Sequence, residues 1–354
     1  MNGWLARQMD IFFGHILSSL VFRPGEQATT DLAAMQVYQQ EAFVSDPARF
    51  FDCPPTPPSL TFGDVSATPA YIREPFTFPS PYQPLSEIFA GRYAAYTETH
   101  TVHGCRYRPF FGRSRATLIL LHGWTEGEYF WEERTLIPWL CRECAYTVVT
   151  LVHPYHGARK PAEARFSGEF FLSADLVRTV EACRQAVIDV RAALTWLLDE
   201  ASGPVGISGI SLGGFMTYLL LCADERPAFA LPMLAHGEIL GDGLEGGSLV
   251  KNVRRGLQAQ KLDVETLRPL LRPVMALEMR PKLAPEYILP INAQYDAIVT
   301  ADKAQRLFEA WEIPEVVWLP VGHLGVVSTR LYRRIMRDFV ERYLRSTIDA
   351  PDCS

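Results

Sequence analysis

The feature that most constrains the fold of this chain is a five-residue turn, G-I-S-L-G, at residues 209–213. A strand-like run, Pro204 to Ile207, precedes the turn, and an apolar helical pattern follows it. A turn this sharp leaves no room for side chains at Gly209 and Gly213, and its strain holds the Ser211 hydroxyl out above a sheet. The pattern therefore predicts an exposed, reactive serine at the carboxyl end of a buried strand.

Short apolar runs rich in β-branched residues recur after residue 113, each followed by a longer amphipathic stretch. Such runs suit strands that are buried on both faces. The predicted strands are Ala116–Leu121, Thr147–Val152, Val205–Ile207, Phe229–Leu234, Tyr287–Ile291 and Val316–Leu319. A long helix capped by Ser173 and further helices after Ser211, Thr300 and Ser328 separate most of them. We therefore expect an α/β fold, a three-layer αβα sandwich with a mostly parallel central sheet.

Two parts of the chain do not follow this alternation of strands and helices. Residues 1–112 are predicted to form an N-terminal helical and proline-rich extension that wraps the core domain at 113–350. Its proline-rich segment, Pro54 to Pro84, should run extended over a surface and stay out of the sheet centre, and Thr99–Arg108 should form an edge strand. Residues 238–285, with weak helical patterns at 250–257 and 264–277, are too long for an ordinary connection and are predicted as a small cap over the carboxyl ends of the strands.

Composition excludes several functional classes. A formal net charge of -6 over 354 residues gives no basic field for nucleic acid, so we expect no nucleic-acid partner. Seven scattered cysteines, an odd number, are typical of reduced thiols and predict a cytoplasmic protein. Cys141 and Cys144 have the spacing of half a zinc site, but no second pair follows, so we expect buried structural thiols and no metal.

The first helix raises the question of a membrane. Its most apolar run, Ile11 to Phe22, is shorter than a membrane span requires. Its apolar residues have helical spacing and are predicted to dock on the body of the protein; they are Leu5, Met9, Phe12, Phe13, Ile16 and Leu20. Contact of residues 1–24 with a membrane surface is the less favoured alternative, because the polar face nearly lacks Lys and Arg.

A serine becomes a good nucleophile only beside a base, which needs its own orienting group, and both should follow Ser211 in the chain. His323 lies after the last predicted strand, in a short loop between Gly322 and Gly325. It is the predicted base, because the other histidines end earlier strands or precede the sheet.

The acid that orients the base should follow another strand end. Asp296 comes after the strand just before the one that delivers His323, and it is the preferred candidate. Asp302 competes, but it falls in the first turn of a helix, where a carboxylate complements the helix dipole. Glu238 and Asp242 offer a second alternative location.

A developing oxyanion needs two fixed backbone donors. Leu212, directly after the predicted nucleophile, supplies one amide. The second is expected from the loop after the first long strand, where Gly123 permits a turn and the Trp124 amide follows.

Taken together, the His122-Gly123-Trp124 loop, the turn around Ser211, Asp296 and His323 resemble the corresponding elements of the α/β-hydrolase superfamily over residues 115–344. The turn P-Y-H-G-A-R at 154–159 is similar to that of some esterase-like members, and F-T-F-P-S-P at 76–81 is similar to a segment of uncharacterised relatives with an N-terminal extension. This resemblance implies ester, thioester or amide hydrolysis without a cofactor, and no particular substrate.

Substrate contacts are the least constrained part of the interpretation. His156 and Arg159 are expected to order the mouth of the site, or Arg159 to meet an anionic group. Two histidines, His153 and His156, are too few to bind a metal. An aromatic-rich entrance, of which Phe215 is a part together with Trp124, Tyr129, Phe130 and Trp131, favours an apolar acyl or aryl group.

The resulting hypothesis is a serine esterase that acts on a small-molecule ester. A peptidase or amidase, or a lipid or thioester hydrolase at a membrane surface, are the alternatives. The physiological substrate, its acyl-chain length and the oligomeric state do not follow from the sequence.

Overall fold

A single sheet of ten strands runs through the part of the chain that the computed structural model describes, residues 3–21, 29–201, 203–238 and 251–348. The strands are β1 Thr61–Phe62, β2 Ser66–Ala67, β3 Tyr71–Pro79, β4 Thr101–Pro109, β5 Ala116–Leu121, β6 Tyr146–Leu151, β7 Val205–Ile210, β8 Ala230–Met233, β9 Ile291–Ala293 and β10 Val317–Leu319. The helices are α1 Gly3–Val21, α2 Leu32–Met35, α3 Ala42–Ser45, α4 Pro47–Phe50, α5 Glu87–Tyr93, α6 Phe130–Arg134, α7 Leu136–Glu143, α8 Leu176–Glu200, α9 Leu212–Ala223, α10 Lys251–Ala259, α11 Val264–Leu271, α12 Ala301–Ala310 and α13 Leu331–Ile348.

The sheet is mostly parallel, as predicted. Its strand order is β1-β3-β4-β6-β5-β7-β8-β9-β10, and β2 pairs with β3. The six strands from β6 to β10 in this order are parallel, and β1 to β4 add antiparallel pairs at one side. Residues of β5 alternate between two buried apolar clusters, one built with α8 and α9 and the other with α7 and α13. The fold is therefore the predicted three-layer sandwich.

Two details of the core differ from the prediction. The predicted strand Tyr287–Ile291 is displaced along the chain: Pro285–Tyr287 forms a 3₁₀ turn, Ile288 makes an isolated parallel bridge with Ala230 of β8, and β9 begins only at Ile291. Pro290 has no amide hydrogen to donate to a ladder, so the strand starts after it. The long helix is capped by Asp175, whose side chain accepts from the Arg178 amide, and not by Ser173.

The N-terminal extension contributes β1 to β4 to the sheet, of which only β4 was predicted, as an edge strand. β4 pairs with β3 on one side and β6 on the other, so it is not an edge strand. β3 comes from the proline-rich segment and lies near the edge of the sheet. Pro75, in the middle of β3, is tolerated there because the neighbouring β1 is only two residues long, and the Pro75 carbonyl still accepts from the Gly63 amide at 2.8 Å.

Buried polar contacts join the extension to α8. The Glu181 carboxylate accepts hydrogen bonds from the Tyr38 and Tyr82 hydroxyls, each at 2.7 Å. One turn further along α8, the Arg184 guanidinium donates to the Phe50 carbonyl at 2.6 Å. These groups are hidden from water, so each must be satisfied within the protein. Residues 1–112 are thus tied to the core by contacts that could not form in either part alone.

The face that α1 turns inward is not the predicted one. Ala6 and Asp10 are buried, whereas Leu5, Met9 and Phe12 are exposed. The side chains of Phe13, Ile16 and Leu20 lie outside the described residues. The small Ala6 and the hydrogen-bonding Asp10 thus make the contact that an apolar stripe was expected to make. Among the described residues, no helix is both long and apolar enough to span a membrane.

The predicted cap is described from residue 251 onward. Its two helical patterns correspond to α10 and to α11, which ends at Leu271 because Pro273 follows closely. The Gln260 side chain, just after α10, accepts from the Thr30 amide at 2.6 Å and reaches the Ala174 carbonyl. This segment therefore contacts the N-terminal extension, and its placement over the carboxyl ends of the strands stays a prediction.

Candidate active site

Ser211 occupies a strained turn between β7 and α9. Its φ of 54° and ψ of -111° lie where residues with a side chain rarely occur. A Cβ atom at Gly209 would lie 2.2 Å from the Gly213 carbonyl oxygen, and one at Gly213 would lie 2.3 Å from the Leu121 carbonyl oxygen. Only glycine fits at both positions, which is the close approach that the sequence pattern predicted.

A chain of hydrogen bonds runs from Ser211 through His323 to Asp296. His323 Nε2 lies 3.1 Å from Ser211 Oγ, and His323 Nδ1 lies 2.7 Å from Asp296 Oδ2. The other oxygen of Asp296 accepts from the Ile298 and Val299 amides, each at 2.8 Å. Each of the three side chains follows the end of a different parallel strand, β7, β9 or β10, so the fold assembles them at one edge of the sheet.

The electrostatics around His323 favour its protonated form. Burial lowers the pKa of the imidazole, but the charge and hydrogen bond of Asp296 outweigh burial, and the pKa is raised above its ordinary value. The carboxylates of Asp10 and Glu126 act in the same direction. This arrangement stabilises an imidazolium, the form that a base reaches after it has taken a proton.

The competing acids lie elsewhere. Asp302 is largely exposed in the first turn of α12, where the nearby Thr300 hydroxyl lowers the pKa of its carboxyl. Glu238 is buried and pairs with Arg268 and Arg306 at 3.6 and 3.7 Å. Asp242 lies outside the described residues. Of the acids that the structure describes, Asp296 is the one hydrogen-bonded to the imidazole of His323.

Two backbone amides were predicted to form the oxyanion hole, those of Leu212 and Trp124. Leu212 opens α9, and Trp124 follows β5 in a loop anchored by a hydrogen bond from Trp124 Nε1 to the Gly168 carbonyl at 2.8 Å. Neither amide donates to a protein acceptor within the described ranges. The Gly123 amide, in contrast, donates to Glu126 Oε2 at 2.9 Å. This pattern leaves the Trp124 and Leu212 amides for a bound oxygen, and their role as an oxyanion hole stays a prediction.

Tyr129 supports the loop that follows β5 and is not part of the predicted aromatic entrance. Its side chain is buried, and its hydroxyl lies 2.8 Å from the Leu120 carbonyl and 2.7 Å from the Leu151 carbonyl. The same hydroxyl accepts from the His122 amide at 3.1 Å. Tyr129 therefore fixes the ends of β5 and β6 where the loop begins. Phe130 and Trp131, the other predicted entrance residues, are exposed.

Arg159 and His156 were predicted to order the mouth of the site, and this role stays a prediction. Both are fully buried. The guanidinium of Arg159 is 2.8 Å from the Asp189 carboxylate and donates to the Val152 and Thr99 carbonyls, so the predicted contact with an anionic substrate group is wrong. Their burial follows from β4, which runs beside β6 and covers the turn after it. Phe215 packs in the apolar core, and its contact with a substrate stays a prediction.

Three buried histidines lie close together behind the predicted oxyanion loop. His122, His153 and His156 pack within 4.5 to 6.0 Å of one another, measured between ring centroids. Burial lowers the pKa of all three, to about 4 for His122, so they are neutral. No group of ligating residues suited to a metal ion is present in the described part of the chain.

The paired cysteines are buried structural thiols. Cys141 and Cys144 pack in an apolar cluster with α7, and burial raises the pKa of each thiol to about 12. A thiol with so high a pKa is protonated at neutral pH and is a poor ligand and nucleophile.

Two carboxylates near His323 escaped the sequence interpretation, Asp10 and Glu126. Glu126 lies in the predicted oxyanion loop, where only its neighbours were considered. Asp10 is the single acid within the apolar pattern of α1. An acid inside an apolar helical stretch was the signal available, because such a residue is rarely buried without a partner.

The parallel sheet, its two helical layers and the serine at the turn between β7 and α9 define an α/β hydrolase. Residues 56–242, more than half of the 354, match the family described as alpha/beta hydrolase domain containing 18, and the chain belongs to that family. It is also 27% identical to the uncharacterized protein Rv2627c of Mycobacterium tuberculosis over 347 residues, which cover 92% of this chain and 77% of the relative.

Solved structures share the fold at low sequence identity. An acetyl xylan esterase from Paenibacillus sp. R4 superposes with a TM-score of 0.63 and 17% identity, over 89% of this chain and 100% of that one. Acetyl xylan esterase 1 from Thermoanaerobacterium sp. gives a TM-score of 0.59 and 12% identity, over 89% and 99% of the two chains. The coverage of this chain in both cases exceeds residues 113–350, which agrees with a sheet that includes the N-terminal extension.

Proposed function

We propose that this α/β hydrolase is a serine esterase that cleaves carboxylic esters of small molecules through an acyl-enzyme. The observation that carries the proposal is the hydrogen-bonded chain from Asp296 through His323 to a serine held in a strained turn. A nucleophile, a base and a group that orients the base are the parts that such a reaction needs.

In the proposed mechanism, Ser211 Oγ attacks the ester carbonyl while His323 Nε2 takes its proton. Asp296 holds Nδ1 and stabilises the imidazolium. The Trp124 and Leu212 amides bind the negative oxygen of the tetrahedral intermediate. The imidazolium then protonates the leaving alcohol, and water, activated by the same histidine, releases the acid and regenerates the Ser211 hydroxyl.

The choice of ester over amide draws support from the solved structures of the same fold that are named as acetyl xylan esterases. A peptidase, an amidase or a thioesterase would use the same residues. Comparison of kcat/KM for short p-nitrophenyl esters, aminoacyl amides and acyl thioesters separates these activities, and we expect the esters to be preferred.

Labelling with a fluorophosphonate probe tests the nucleophile. We expect the wild-type protein to form a covalent adduct and Ser211→Ala to form none, because the probe reacts with an activated serine hydroxyl. Ser66→Ala, an exposed serine in β2, is the matched control and should label as the wild type does. Absence of labelling in the wild type, or unchanged labelling of Ser211→Ala, would contradict the proposal.

The pH dependence tests the base. Ester attack requires neutral His323, and the raised pKa of this histidine keeps it protonated up to a higher pH than usual. The acid limb of kcat/KM should therefore have its midpoint above 6.5, the ordinary value for histidine. Initial rates in overlapping buffers between about pH 5 and 9 measure it, and a midpoint below the ordinary value would argue against His323 as the base.

Hydrolysis at a lipid surface is a second candidate, favoured by one observation. Four large apolar side chains of α1 face solvent, with Trp4 68% and Phe12 66% exposed beside Leu5 and Met9. Exposed Trp and Phe side chains on one helix suit the interface of a bilayer. This helix carries little charge, so its binding would depend on apolar contact and not on anionic lipid.

Flotation with neutral phosphatidylcholine vesicles tests the second candidate. We expect the wild type to float with the vesicles. The affinity of the double variant Trp4→Ser, Phe12→Ser for the vesicles should be lower by a factor of at least about ten. Exposed Gln8→Ala serves as the control on the same helix. Equal binding of the wild type and the double variant would remove lipid contact through α1 from consideration.

A further inference from the structure

Among the side chains of α1 that the structure describes, at residues 3–12, the most buried are those of Ala6 and Asp10, although this stretch offers larger apolar residues. Burying an ionised carboxylate is unfavourable unless hydrogen bonds compensate it. In α1 the only acid faces inward, whereas Trp4 and Phe12 are exposed to solvent. Apolar packing therefore does not explain the orientation of this helix.

Asp10 binds the two loops that carry Asp296 and His323. Its Oδ2 accepts from the His323 amide at 2.6 Å and from the Ala297 amide at 3.3 Å, and its Oδ1 accepts from the Leu324 amide at 3.2 Å. All three donors are backbone groups, so the carboxylate holds the chain itself and not a mobile side chain.

The surroundings of Asp10 are too close to be a loose surface contact. A Cβ atom at Gly322 would lie 2.6 Å from Asp10 Oδ2 and 3.0 Å from the Ala6 carbonyl oxygen. At the start of the helix, Gly3 packs against the side-chain ring of Tyr295, next to Asp296. Thus α1 touches the loop of His323 at a closely packed glycine and the loop of Asp296 at a tyrosine side chain.

We propose that Asp10 is a positioning residue for hydrolysis, which fixes the His323 loop and the Asp296 loop in register through their backbone amides. This inference rests on the proposed function of the Ser211 site. Without Asp10, the His323 and Leu324 amides lose their acceptor and each loop is free to shift. A displacement of about 1 Å in a reacting group can lower a rate by about 100-fold.

The charge of Asp10 has a second effect, on the basicity of His323. The charged groups that face this imidazole are Asp296 after β9, Asp10 from α1 and Glu126 after β5. Asp10 is therefore one of three negative charges that favour the imidazolium. Removing its charge, even with the shape retained, should lower the pKa of His323.

Two substitutions separate these effects. Asp10→Ala removes the acceptor, and we expect kcat for a short-chain ester to fall about 100-fold with KM within about twofold. Asp10→Asn retains one acceptor oxygen and the shape, so its kcat should fall less, about tenfold. In both variants, the acid limb of kcat/KM should move to lower pH than in the wild type. Gln8→Ala, exposed on the same helix, is the matched control.

The readouts also separate this inference from the proposed function. If Asp10→Asn retains wild-type kcat and an unmoved acid limb while the wild type labels with fluorophosphonate at Ser211, this inference is overturned and the esterase proposal stands. A fall in kcat that tracks a fall in Tm, with the acid limb unmoved, also overturns it, because such a result shows only a structural role. If the wild type does not label, both fail. Should Asp10→Ala not fold, the conservative Asp10→Asn decides.

Discussion

Replacement of His323 by alanine should lower kcat for an ester substrate by about 10⁴- to 10⁶-fold, with the fold unchanged. The imidazole lies 3.1 Å from Ser211 Oγ and is the described group positioned to take the proton of this hydroxyl. Without it, the serine attacks as a neutral alcohol, and the leaving alcohol receives no proton. Stopped or continuous assays with a p-nitrophenyl ester, together with circular dichroism, measure the loss and the fold.

A second histidine provides the control for that experiment. His103 lies on β4, partly buried, and takes no part in the proposed chemistry. We expect His103→Gln to keep kcat within about twofold of the wild type. Activity of His323→Ala above about a tenth of the wild-type value would show that another group serves as the base.

Substitution of Glu181 by leucine should have the largest effect on stability, a loss of about 3–5 kcal/mol in the free energy of unfolding. Glu181 accepts from two buried tyrosine hydroxyls and from the Leu85 and Ser86 amides, at 2.7 to 3.1 Å. A leucine of similar size leaves four donors without an acceptor where water cannot replace it. Urea unfolding followed by tryptophan fluorescence measures the change.

An exposed acid on the same helix is the reference for Glu181. Asp199 lies near the end of α8, in contact with solvent. Asp199→Leu should change the free energy of unfolding by less than about 0.5 kcal/mol. If Glu181→Leu behaves like Asp199→Leu, the extension is held by its apolar contacts and not by this carboxylate.

The positions of Ser211, His323 and Asp296 were predictable because local sequence determines each of them. A glycine pair marks the strained turn, and the ends of parallel strands share one edge of the sheet, so residues that follow strands must meet there. Asp296 could be preferred over Asp302 as the orienting acid for an equally local reason, because Asp302 lies in the first turn of a helix. The proximity of the three side chains could therefore be inferred without knowledge of distant contacts.

Three of the errors in prediction have the opposite cause. Thr101–Pro109 is not an edge strand because it pairs with Tyr71–Pro79. The prolines of that segment had favoured an extended path over the surface, so the pairing was not predicted. Arg159 was predicted to contact an anionic substrate group because its actual partner, Asp189 on α8, lies thirty residues further along the chain. In α1, the apolar residues do have helical spacing, but this spacing does not tell which face is buried. Only the tertiary structure shows that Ala6 and Asp10 face inward. Each of these facts is a contact between residues distant in sequence.

The attachment of α1 to the catalytic loops has a thermodynamic consequence. One side of the helix meets solvent, and the other holds His323 and Asp296 in place through Asp10. A partner that binds the outer side only while the helix is seated, and a substrate that needs the loops in order, must each raise the affinity of the other by the same factor. A partner that lifts the helix would instead act as an inhibitor without ever entering the active site. Under the proposed function, a ligand on the outer side of α1 would therefore change turnover without contact with Ser211.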